Sequence, residues 1–212
     1  MLVRLDHVIF SVPDIEAAHR ELTSRFPEAW PIGRFWPDGR TSGIAIGGIN
    51  LELVQPDEAA PTQPVGATLA FEPFSPEVAE FTLRREGLAC HRFDKIEPDH
   101  DLLRLRGFSE QAGQTPQLIC ENVLLDEPGE ASFDFFTCSY SPFLKEWLSP
   151  DHPRLRTQRR ITRIRYATPW PEQAASLLAK LDYQGEIQVQ FVPGERKAIV
   201  GIETDDGPLG WP

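Results

Sequence analysis

Leu5-Asp6-His7-Val8-Ile9-Phe10-Ser11-Val12-Pro13 is the stretch on which the fold turns. It is rich in β-branched and aromatic residues and ends at a proline, so it reads as a strand. It runs into Ile15, Ala18, Leu22 and Phe26, which fall on one helical face. The pattern then recurs. Ala67-Thr68-Leu69-Ala70-Phe71-Glu72-Pro73-Phe74 reads as a second such strand. Ser75-Pro76 follows as an N-cap with proline at the first helical position, and Gly87 stops the helix. Val78, Ala79, Phe81 and Leu83 are its expected buried positions. Ile161 to Pro169 opens a third copy, with Ala174, Leu177, Leu178 and Leu181 on one helical face behind it.

Strands are expected after each helix. The first is followed by Ile32 to Trp36, Gly43 to Ile46 and Ile49 to Val54, with Gly47-Gly48 as a hairpin turn. The second is followed by Ala89 to Ile96, Leu102 to Phe108 and Gln117 to Leu125. Both units therefore read β-α-β-β-β. The last unit is shorter, with Glu186 to Val192 and Lys197 to Thr204. Ser132 to Ser139 reads as an extra strand, and Pro142 to Arg160 as a connector. The expected fold class is α+β: paired βαβββ modules in a cupped mixed sheet with outer helices, plus a partial third module. The paired modules, about 1–60 and 64–140, and the connector occupy residues 1–158; a βαββ module on the same domain occupies 159–212.

Side chains alternate along a strand. Val8 and Phe10 are expected under the helix, and Leu5, His7 and Ile9 on the face toward a concavity. Glu52 shares a face with Asn50 and Val54. A carboxylate there is costly unless it is paired, protonated or bound to a metal.

Leu5 to Asp14, followed by Leu51-Glu52-Leu53-Val54, resembles the opening module of the vicinal oxygen chelate superfamily, which includes glyoxalase I, bleomycin-resistance proteins and extradiol dioxygenases. Pro116 to Glu121 and His152-Pro153 resemble later segments of its glyoxalase-like branch. The resemblance implies a metal held by one side chain from the first and one from the fourth strand of each module. His7 and Glu52 match the first module's positions. Aligning Cys120-Glu121-Asn122 with Leu51-Glu52-Leu53 makes Glu121 a third ligand, or alternatively a catalytic base. The remaining position falls near Thr68 or Leu69, where the pattern breaks. One His and two Glu suit a divalent ion such as Zn, Mn, Fe or Ni and leave positions open for substrate. The resemblance also implies a ligand contact for His152 and, from relatives that dimerise, a homodimer.

Three functions stay open on these residues. One is a divalent-metal-dependent lyase, isomerase or dioxygenase on a small oxygenated substrate. Another is a non-catalytic small-molecule binder of the bleomycin-resistance type. The third is a structural domain with a vestigial site.

Composition narrows the partners. The 212 residues carry a net charge of −11, with 41% hydrophobic and 25% charged residues, as in an ordinary globular chain. The acidic balance disfavours nucleic acid, which needs a basic surface to displace counterions. Arg154, Arg156, Arg159, Arg160, Arg163 and Arg165 form the one basic cluster, read as a charged linker and strand face. Three cysteines, Cys90, Cys120 and Cys138, fit neither a disulfide framework nor a zinc ribbon. No apolar run reaches the ~20 residues that span a bilayer, and no signal core opens the chain. The expectation is a cytoplasmic protein that takes a small-molecule ligand.

Overall fold

The computed structural model describes residues 1–26, 29–36, 39–47, 49–58, 65–97, 117–127, 131–142 and 159–210. The first unit runs β1 (Leu2–Ser11), α1 (Ile15–Arg25), β2 (Trp30–Trp36), β3 (Gly39–Ile46) and β4 (Ile49–Pro56). The second runs β5 (Val65–Pro73), α2 (Pro76–Arg85), β6 (Cys90–Glu97), β7 (Gln117–Leu125) and β8 (Asp134–Tyr140). The third runs β9 (Ile161–Thr168), α3 (Pro171–Lys180), β10 (Gln188–Pro193), β11 (Ala198–Thr204) and the short β12 (Gly207–Pro208).

Local chemistry sets the element boundaries. The Asp14 carboxylate accepts from the Ala17 N–H at 3.0 Å, and the Ser75 hydroxyl accepts from the Val78 N–H at 3.3 Å. Gly87, at φ +81°, ends α2.

Paired units build one eight-stranded sheet in the order β2-β3-β4-β1-β5-β8-β7-β6. In each unit the first strand lies parallel to the last, β1 beside β4 and β5 beside β8. The strand expected as an extra, Ser132 to Ser139, is thus the closing strand of the second unit. Leu102 to Phe108 lies outside the described residues.

Both helices cover one face of the sheet. Leu51, Leu53, Leu69, Phe71 and Phe135 meet Ile15, Leu22 and Leu83 there in one continuous core. In α2 the buried stripe is Pro76, Ala79, Thr82 and Leu83, while Val78 and Phe81 face outward, 38% and 67% exposed. The expectation for those two fails because, at about 100° per residue, Val78 and Phe81 fall beside and behind the Pro76–Ala79–Leu83 row that packs on the sheet.

The third unit forms its own sheet, β10-β9-β11-β12, and contributes Ile164, Tyr166, Leu178 and Ile202 to the same core. Its wiring differs from that of the paired units. β10, the strand after its helix, pairs directly and in parallel with β9. Two of the four described arginines of the basic cluster meet acids: Arg159 faces Asp206 at 3.5 Å and Arg163 faces Glu203 at 2.9 Å.

Gly47 turns β3 into β4 at φ +59°, against the start of the third unit. A Cβ there would lie 2.5 Å from the Ile161 nitrogen and 3.0 Å from the Arg160 Cα. Left-handed strain and backbone overlap act together, so Gly47→Ala is expected to cost at least about 2 kcal/mol in urea unfolding. Gly87→Ala is the control. It has a positive φ but nothing within 4 Å of its added Cβ, and should cost about 1 kcal/mol or less.

Candidate functional site

The helix-free face of the sheet holds the candidate residues. His7 and Glu52 lie there on β1 and β4, with relative exposures of only 4% and 8%. His7 Nε2 stands 3.9 Å from Glu52 Oε2 and makes no hydrogen bond among the described residues.

A bulge in β1 builds the rest. Leu5 pairs with Phe71 and His7 with the next residue, Ala70, so Asp6 is the extra residue. Leu5 consequently points into the helix-side core and not, as alternation suggested, to the site. Asp6 and His7, neighbours that would normally face apart, meet instead. His7 Nδ1 and Asp6 Oδ2 are 2.8 Å apart. Arg4 donates to Asp6 Oδ1 at 2.8 Å and to Glu72 at 2.7 Å. The Tyr140 hydroxyl, from β8 of the second unit, donates to Asp6 Oδ2 at 2.7 Å.

This network sets the charges. Burial would push the Asp6 carboxyl up, but the hydrogen bond and charge of His7, the charge of Arg4 and the Tyr140 hydroxyl together hold it below the ordinary carboxylate range. Burial would lower His7, yet Asp6, and secondarily the charge of Glu52, raise it above an ordinary imidazole. Tyr140 is pushed well up by its burial and by the Asp6 charge, so it remains a donor. The pair is therefore an imidazolium–carboxylate contact at mildly acidic pH. When His7 loses its proton, the Asp6 contact keeps the remaining one on Nδ1 and leaves the Nε2 lone pair free.

Glu121 does not join His7 and Glu52. It lies on β7, the third strand of its unit, opposite Asp94. Its charge acts on Arg92, which is bound to Glu77 and Glu80 of α2 on the helix side. The site-side residues of β7 are its neighbours Cys120 and Asn122, whose side chains touch at 3.5 Å. Cys120 joins Ala70, Ile119, Phe136 and Cys138 in an apolar cluster on that face. The match of Glu121 to Glu52 counts strands along the chain, whereas the strand parallel to β5 is β8.

His152 and His100 lie outside the described residues. His19 meets the Ser42 hydroxyl at 2.7 Å on the helix side, and His91 meets Asp126 at 2.6 Å in an exposed pair. Asp6, Arg4 and Tyr140 were missed by sequence reasoning. The one signal for them was an aspartate inside an apolar strand.

A four-donor metal does not fit the described side chains. Among the described residues no group of three or more His, Cys, Asp or Glu is placed to hold an ion. His7 and Glu52 are two donors where the resemblance implies four. No helix among the described residues is long and apolar enough to cross a membrane.

No protein-family model matches the chain, and no curated protein matches it. Solved structures do. A hypothetical protein from Staphylococcus aureus superposes with a TM-score of 0.67 at 10% identity, over 96% of this chain and 91% of that one. Methylmalonyl-CoA epimerase from Mycobacterium tuberculosis gives 0.47 at 14% identity, over 68% and 93%. A Streptomyces coelicolor methylmalonyl-CoA epimerase in complex with 2-nitronate-propionyl-CoA gives 0.44 at 14% identity, over 66% and 99%. The staphylococcal match extends into the third unit, so that unit is part of a shared architecture. The staphylococcal likeness shows a shared fold, and its paired β-α-β-β-β units in one eight-stranded mixed sheet are the α+β architecture expected from the opening strand.

Proposed function

We propose that the chain is an enzyme that moves a proton on a small oxygenated organic substrate, with His7 as the acid–base group. The observation that carries this reading is the buried His7 ring, held at Nδ1 by Asp6 at 2.8 Å while Nε2 faces Glu52 without a hydrogen bond. An oriented imidazole with one free nitrogen is the usual arrangement for general acid–base work. Asp6 stabilises the imidazolium that forms when Nε2 takes a proton. Glu52, 3.9 Å away, is the second group able to relay that proton.

The suitable substrate has a C–H bond made acidic by an adjacent carbonyl. Nε2 removes that proton, the electron pair passes to the carbonyl oxygen as an enolate, and return of a proton completes an isomerisation. The free base is the active form, so the rate should rise with pH through a His7 value lying above 6.5.

Proton exchange at the α-carbon tests this whatever the final product is. Two-oxo acids, α-hydroxyketones and acyl thioesters are incubated with the protein in D2O, and deuterium at the α-carbon is followed by NMR. Exchange above background with at least one class is expected, falling about 100-fold or more in His7→Ala. Exchange that survives in His7→Ala rules the mechanism out. Ligand-induced thermal stabilisation without exchange would favour the binding-protein reading instead.

A further inference from the structure

Strand registers relate the paired units by a local twofold. β1 and β5 are antiparallel, with His7 opposite Ala70 and Ile9 opposite Thr68. Exchanging the strands carries His7 onto Thr68 and Ile9 onto Ala70. The helix caps agree, since Asp14 follows His7 by the same interval as Ser75 follows Thr68. The closing strands extend the match. Asn50 and Glu52 stand beside His7 and Ile9, while Asp134 and Phe136 stand beside Thr68 and Ala70. Thr68 is therefore the counterpart of His7, and Phe136 the counterpart of Glu52. A separate observation places Phe136 at the site: its ring meets that of His7 edge to face, with centroids 5.4 Å apart.

We propose that Thr68 and Phe136 are the two residues that decide what this site accepts. Together they put a neutral hydroxyl and an apolar ring where the family resemblance implies two metal donors, so the site takes an organic ligand directly and not through a bound divalent ion. The first unit's half is chemically complete, with His7 Nε2 free and Glu52 beside it. The second unit's half offers one neutral hydroxyl and a ring without a lone pair. Two strong donors fall short of the three or four protein ligands that hold zinc. Phe136 also joins Ala70 and Cys138 in an apolar cluster, which raises the cost of placing an unshielded charge there. The inference goes beyond the proton-transfer reading, because it concerns ligand type and holds whether or not His7 moves a proton.

The experiment restores the missing half. Wild type and the double variant T68H/F136E are titrated calorimetrically with zinc, manganese and nickel chlorides, and their cobalt(II) absorption spectra are recorded. Wild type is expected to show no stoichiometric binding up to about 100 µM metal, whereas the double variant binds one ion per chain at about 10 µM or tighter. Binding by the variant should disappear on adding His7→Ala. The proposal is overturned if wild type binds one ion per chain and loses it in His7→Ala or Glu52→Ala. It is equally overturned if the double variant, folded by circular dichroism, binds no tighter than wild type. Should F136E prevent folding, T68H/F136H carries the same test with a side chain closer to phenylalanine in size. The wild-type arm stands in either case, and its outcome is independent of the deuterium-exchange result.

Discussion

Asp6→Asn should cost the fold about 3 kcal/mol, with a pH dependence that identifies the cause. The Asp6 carboxylate is 2% exposed and accepts from three groups: His7, Arg4 and Tyr140. Replacing it takes the hydrogen-bonded counter-ion from a buried imidazolium and leaves it Glu52 at 3.9 Å, while Arg4 keeps Glu72. The low end of the buried-pair range follows. The folded Asp6 titrates below its ordinary value of 3.8, so its contribution is present above that value and fades as pH falls through the folded one. His7 titrates above its ordinary 6.5, so its contribution is full below 6.5 and fades as pH rises through the folded value. The two windows overlap between these ordinary values. The stability gap between wild type and variant should therefore be widest in mildly acidic solution and narrow on both sides. Urea unfolding of both proteins across a pH series measures it. A gap that stays flat from mild acid to alkaline pH would show that the two groups do not form an ion pair.

Much of the architecture was legible because it lies in periodicity. Ile15, Leu22, Ala174 and Leu178 are buried as their spacing dictates, and the strand–Pro–helix signature marked all three units. Glu52 was legible for a different reason: a carboxylate within Ile49 to Val54 demands a partner. What escaped was non-local. The bulge at Asp6 has no glycine to announce it, and it moves Leu5 to one face while bringing Asp6 beside His7. No spacing in the sequence ties Tyr140 to Asp6, 134 residues away. Glu121 illustrates the same limit. Its strand was expected correctly, but which strand closes the second unit depends on pairing with β5, and β8 takes that place. A shift of one strand was enough to exchange a supposed ligand for Phe136.

Phe133→Ala should be the most damaging core substitution at the junction of the second and third units, at about 3–5 kcal/mol. Phe133 has no exposed surface. It stacks on Phe135 at 4.6 Å, and it meets Phe191 of β10 at 4.9 Å and Tyr166 of β9 at 6.2 Å. Truncation removes the ring shared by these neighbours and opens a cavity between β8 and the third unit. The junction cannot close over it freely. The Tyr166 hydroxyl accepts from the Asp134 N–H at 3.0 Å, Lys197 holds the Asp134 carboxylate at 2.8 Å, and Thr168 donates to the Ser132 carbonyl at 2.6 Å. Because the core runs unbroken from Phe10 to Ile202, unfolding should remain a single cooperative transition, shifted to lower denaturant with an unchanged slope. An early separate transition, with hydrogen-exchange protection lost first in β9 to β11, would show the third unit to be an independent attachment. The distinction reaches the candidate site. Phe133 immediately precedes the strand that carries Phe136 and Tyr140, so a loosened β8 should weaken the Tyr140–Asp6 contact along with the fold. Deuterium exchange by Phe133→Ala, measured well below its unfolding midpoint, should accordingly fall although no residue that touches His7 has been changed.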